Sequence, residues 1–220
     1  MLKFATGQLT QEELSAIGRG GSLRAGNETI TAIDCLDISE ICNNKGFADL
    51  DSTDPALSFD GVGYSFFTGD LPASETWEIA GMKFHFPKPR ADRFDNISCN
   101  GQEIPITPGV YSAIMLLGTA GFGSFSEYIK LKFAGGGEAK ITVEFTDWWL
   151  PSSNFGETVA WSGRSCKIGP KGVEVSKHKV FLYAESQPVP GTSPLVGIQL
   201  PDCPNLRIFA ISLGKTAAED

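Results

Sequence analysis

From Thr29 onward the chain reads as strand and turn: short runs that alternate apolar and polar residues with a period of two, the pattern of strands covered on one face, separated by loops of which Asp34 to Asp60 is the longest. Thr29-Ile30-Thr31-Ala32-Ile33 is a β-branched run, Tyr64-Ser65-Phe66 a short strand, and Trp77 to Pro87 reads as one alternating strand. Tyr111 to Leu117 is apolar throughout, as expected of a strand buried on both sides. Tyr128 to Phe133 and Ala139 to Phe145 alternate on either side of Gly135-Gly136-Gly137, which predicts a meander. Asp95 to Asn100 and Gln102 to Ile106 read as a hairpin closed by Asn100-Gly101, a strong short-range turn signal. Later strands are expected at Thr158 to Trp161, Lys179 to Glu185, Leu195 to Leu200 and Arg207 to Leu213.

One segment breaks the pattern. Thr10-Gln11-Glu12-Glu13 is a capping box, Leu14 and Ile17 follow at helical spacing, and Gly18 is a natural stop. The expected organisation is a short N-terminal helix and connector over residues 1–28, a sandwich over 29–214 and a polar tail over 215–220. Roughly ten strands separated by turn signals place the chain in the all-β class, as a β-sandwich or jelly roll.

Composition agrees with that class. A length of 220 residues suits one large sandwich, and 25 Gly and 13 Pro spread along the chain suit many short strands joined by turns. A net charge of −8 repels phosphate backbones and argues against a nucleic-acid partner. The five cysteines form no Cys-x-x-Cys pair and only two histidines accompany them, so a structural zinc site is not expected. No apolar run is long enough to span a bilayer, so no membrane partner is expected. Met1 to Arg24 lacks the apolar core of a secretion signal, which reads as cytoplasmic; a domain cut from a longer secreted protein would read the same way.

Several short stretches share an order with a known group. They are Phe59-Asp60-Gly61-Val62-Gly63-Tyr64-Ser65 with Leu71-Pro72, Phe84-His85-Phe86-Pro87, Asp95-Asn96-Ile97 with Gly101-Gln102, and Leu116-Leu117-Gly118-Thr119-Ala120. Asp147-Trp148-Trp149, Leu182-Tyr183, Ile198-Gln199-Leu200-Pro201 and Phe209-Ala210-Ile211 continue the series. In this order the chain resembles the galactose-binding-like β-sandwich modules appended to bacterial glycoside hydrolases. The resemblance implies carbohydrate binding at loops or on a sheet face, and a structural Ca²⁺. Asp34 and Asp37 are the carboxylates nominated for that ion.

Asp147-Trp148-Trp149 is the most informative local feature. Neighbouring strand residues face opposite sides, so one indole is expected in the core and the other at the surface. Sugar rings present C–H faces that stack on indole, and Asp147 and Asn154 would supply hydrogen-bonding groups nearby. Trp161 could join the same aromatic patch, and Tyr64, His85 and Asn96 complete the set of candidate ligand-binding residues. No Gly-x-Ser-x-Gly, His-Glu-x-x-His or Walker sequence is present. The expected function is therefore non-catalytic carbohydrate binding. The alternatives are a stand-alone glycoside hydrolase-like enzyme on the same fold, with Asp95 and Asp147 as first candidates, and a self-assembling module whose edge strands build a homo-oligomer.

Overall fold

A computed structural model describes residues 24–25, 28–90 and 92–216. The helix expected over Thr10 to Gly18 lies outside them. The described residues form a nine-stranded sheet, a four-stranded sheet and a two-stranded hairpin, more strands than the sequence suggested. None of their helices is long and apolar enough to cross a membrane.

The chain opens with β1 (Arg24–Ala25), β2 (Glu28–Cys35), β3 (Phe47–Ala48) and β4 (Tyr64–Phe67). The hairpin β5 (Thr76–Ile79) and β6 (Met82–His85) follows, then β7 (Ile97–Asn100), β8 (Glu103–Gly109) and β9 (Ala113–Ala120). Next come β10 (Phe125–Phe133), β11 (Glu138–Phe145), β12 (Thr158–Gly169), β13 (Gly172–Pro188), β14 (Leu195–Gln199) and β15 (Asp202–Thr216). The large sheet runs β1-β2-β15-β9-β13-β12-β4-β3, with β7 also paired to β15; the small sheet runs β11-β10-β14-β8.

Strand β9 sits at the centre of the large sheet, and every one of its residues is buried. Its Ile114 and Leu116 enter the core between the two sheets, where they meet Ile129, Leu131, Ile141 and Ile198 of the small sheet. Its Met115 and Leu117 enter a second core on the opposite face. An outer layer made of the β5–β6 hairpin and the segment that carries Phe59, together with the edge strands β3 and β4 of the large sheet itself, covers that face with Phe47, Phe59, Phe66, Trp77 and Phe84. The molecule therefore has three layers, and the continuous apolar run of β9 follows from its middle position. A bulge in β15 between Ile208 and Ala210 lets Ile208 and Ile211 serve the first core while Phe209 and Ala210 serve the second.

Two turns differ from the sequence reading. Trp77 to Pro87 is not one strand: Ala80 and Gly81 take positive φ of 49° and 82°, and the chain folds back so that Trp77 pairs with Phe84. Asn100-Gly101 closes no hairpin, because β7 pairs with β15 and β8 with β14. The Gln102 side chain takes up the local bonds instead. Its Oε1 accepts the Asn100 amide at 2.7 Å and its Nε2 donates to the Ser98 carbonyl at 2.7 Å. The corner carries the chain from one sheet to the other. At the C-terminus, Lys215 and Thr216 continue β15 and pair with Ala32 and Ile30.

Candidate functional site

The long β12–β13 hairpin presents a polar outer surface beside β4. Lys167 pairs across the strands with Glu174 on one side and with Tyr64 on the other. A bulge between Arg164 and Cys166 shifts the register and leaves Ser176, Lys177 and His178 of β13 without partners on β12. Behind this surface, Cys166 and Ile168 are buried under the hairpin, so the polar residues between them face outward.

The turn after β11 lays Trp149 against the end of that surface. The Asp147 Oδ1 accepts the Trp149 amide at 2.9 Å, and its Oδ2 accepts the Gly123 amide at 2.6 Å. Ser124 Oγ accepts the Asp147 amide at 2.9 Å and the Asn154 Nδ2–H at 2.8 Å. Asp147 and Asn154 thus brace the turn that carries the indole, and the carboxylate oxygens of Asp147 are both engaged with backbone amides.

The result is an open cleft of about 580 Å³ lined by Tyr64, Trp149, Ser165, Lys167, Glu174 and His178, together with Val175 and Ser176. Trp149 is 40% exposed. Tyr64 and His178 stand nearly perpendicular to it, at ring-centroid distances of 6.1 and 6.5 Å. The Lys167 Nζ lies 5.1 Å from the centre of the Tyr64 ring. One wall is aromatic, and the other offers an ammonium, a carboxylate, hydroxyls and an imidazole.

The remaining nominated residues lie elsewhere. Trp148 is sealed against Phe59 and Phe66 in the second core, at 1% exposure, so it cannot meet a ligand. The two tryptophans part because they occupy a turn, rather than by alternation within a strand. Trp161 is also core, packed on Phe47 and Phe66, and its Nε1–H donates to the Asp70 carbonyl at 3.3 Å. Asn96 is wholly buried and exchanges hydrogen bonds with Asn44 and Asp95. It is a structural amide, and His85 lies beside a different cavity. Asp34 is paired with Lys215 at 2.7 Å. Asp37 accepts the Ser39 amide at 3.0 Å, and that bond holds its carboxyl below the usual range. Among the described residues no three His, Cys, Asp or Glu side chains stand together as a metal site.

The sequence reading passed over Lys167, Glu174, Ser176 and the role of His178. The signal was the alternation of Cys166 and Ile168 against Val173 and Val175 around Gly169-Pro170-Lys171-Gly172, which marks a hairpin.

A family model for the AziU2-like beta-sandwich domain matches residues 40–217. The chain belongs to the AziU2-like beta-sandwich domain family. The match takes in the small sheet, the large sheet from β3 onward, the outer layer and every residue of the Trp149 cleft. The family's description specifies a β-sandwich, in agreement with the layers described above, and no ligand. No match was found among curated proteins.

Proposed function

We propose that this AziU2-like domain is a non-catalytic binding module that takes a carbohydrate in the Trp149 cleft. The observation that carries the reading is a half-exposed indole flanked edge-on by Tyr64 and His178, facing the Lys167–Glu174 pair. An indole face receives the C–H face of a pyranose, while mixed donors and acceptors suit neutral hydroxyls better than a single charged ligand. The cleft is open, which suits a chain end or a loop-exposed sugar. Calorimetric titration with a panel of mono- and oligosaccharides tests it. At least one sugar is expected to give saturable heat, weakened about ten-fold or more by Trp149→Ala, a loss near 1.4 kcal/mol. No heat across the panel, or full affinity in a folded Trp149→Ala protein, would sink the idea.

A second reading, a hydrolase on the same fold, rests on another cavity. Glu144, Glu157 and Glu185 line a hollow of about 290 Å³ where the edge of β11 meets β12 and β13. Burial pushes the Glu185 carboxyl up to about 7. Burial also acts to raise Glu157, but bonds from Ser153 and Thr146 outweigh it and hold that carboxyl below its usual range. Two carboxyls driven apart in this way are the acid and base of many hydrolases. Asp95, by contrast, is buried and ion-paired with Lys45. Turnover of chromogenic glycosides that vanishes in Glu185→Gln would favour this second reading over the first.

A further inference from the structure

A second cleft, sharing no residue with the Trp149 cleft, opens between the end of β2, the end of β6 and the chain that follows it, with a volume of about 400 Å³. Its floor is apolar: Ile38, Phe86 and Phe209 are all buried. Phe94 adds an apolar wall that is 48% exposed. His85, Lys88, Arg90 and Arg93 line the same opening.

The segment that carries these cations is held from below. The buried Lys45 donates from Nζ to the carbonyl oxygens of Arg90 and, at 2.9 Å, of Arg93. It also pairs with the buried Asp95 at 3.2 Å. Asp95 in turn accepts the Gly46 and Phe47 amides at 2.6 and 3.2 Å. Pro87 and Pro89 further restrict the backbone. A cleft whose wall is fastened in this way loses little freedom when it is filled.

The charges in the opening do not cancel. Asp95 is neutralised by Lys45 and Arg90 pairs with Asp92 at 3.1 Å, which leaves Asp37, bonded to the Ser39 amide, as the one carboxylate in the opening without an ion-pair partner among the described residues. Lys88 and Arg93 have no ion-pair partner among the described residues. In a chain of net charge −8, two cations against the single carboxylate of Asp37 over an apolar floor are a local reversal of the overall field.

We infer that this cleft binds a small amphiphilic anion: an apolar, preferably aromatic body lying on Phe86 and Phe209, with one carboxylate, sulfate or phosphate at Lys88 and Arg93. The body is taken up by burial of apolar surface, and the head by charge-assisted hydrogen bonds.

Anilinonaphthalene sulfonate is a suitable probe, titrated by fluorescence against the same molecule lacking the sulfonate. Location is read from thiols. Cys35 and Cys42 line the cleft and are partly accessible, whereas Cys99, Cys166 and Cys203 are buried. The probe is expected to bind with one-to-one stoichiometry and to slow maleimide labelling of Cys35; burial pushes the Cys42 thiol up to about 12 and makes it a poor reporter. Lys88→Ala/Arg93→Ala is expected to weaken it about ten-fold with an unchanged Tm, and Trp149→Ala to leave it unaffected. Equal binding of the unsulfonated molecule, an unaltered affinity in the double variant, or an unprotected Cys35 would each overturn the inference. Sugar binding at Trp149 can succeed or fail independently of all three.

Discussion

Trp148 and Trp149 are chain neighbours with ring centroids 4.8 Å apart, yet one is 1% exposed and the other 40%. The first fills the second core beside Phe59 and Phe66; the second caps it and faces outward. Their substitutions should therefore separate stability from binding. Trp148→Ala is expected to lose about 3–5 kcal/mol of unfolding free energy, the usual cost of emptying a large aromatic site. Trp149→Ala should lose about 1 kcal/mol or less, since its ring is partly solvated already. Urea denaturation followed by circular dichroism measures both. Equal losses would mean that Trp149 is a core residue and not a ligand platform.

The buried pair Lys45–Asp95 invites a second test. Lys45 spans its neighbours with one ammonium, touching Asp95 and two carbonyls of the segment that lines the second cleft. Removing it leaves a buried carboxylate without its counter-charge, a change that costs about 3–5 kcal/mol in comparable sites. Lys45→Met should show that loss. Adding Asp95→Asn should recover part of it, because the amide oxygen still accepts a backbone N–H while the stranded charge is gone. Double-variant denaturation in urea decides the point, and a further loss of stability would contradict it.

What could be read from the chain, and what could not, divides along sequence separation. The apolar run at β9 and the Gly135–Gly137 meander were legible because each depends on residues within one strand or one turn. Gly135 and Gly136 take φ of 84° and 85°, a conformation that only glycine adopts without strain. Asn100-Gly101 misled because a turn signal says that the chain bends and not which strand it then joins. The Trp77 to Pro87 segment misled because alternation continues across a tight turn when both arms put residues on the same face. At the Trp149 cleft, the indole and Tyr64 were nominated from the chain, and Lys167, Glu174 and His178 were not. Tyr64, Lys167 and His178 come from separate parts of the chain and meet only through strand register. The Lys45–Asp95 pair lies beyond any local pattern for the same reason.

Glu185 ties stability to pH near neutrality. Its Oε1 accepts the Glu144 amide of β11 at 3.1 Å, so this buried carboxyl of β13 joins the two sheets. Burial raises its folded pKa from 4.5 to about 7, so the native state holds a proton that the unfolded chain has released across that interval. Stability is therefore fullest below pH 4.5 as far as this group is concerned, and is lost as pH rises through about 7. A difference of this size corresponds to about 3 kcal/mol. The carboxyls held low, among them Asp37, Asp70 and Glu157, act in the opposite sense and below that interval, where their protonation weakens the fold as pH falls. The unfolding free energy is thus expected to decline between pH 5 and pH 8, and Glu185→Gln to flatten the decline, being the more stable protein at pH 8. Urea titrations of both proteins at several pH values measure this. A wild-type profile that stays flat, or one that Glu185→Gln leaves sloping, would assign the neutral-pH titration to another group.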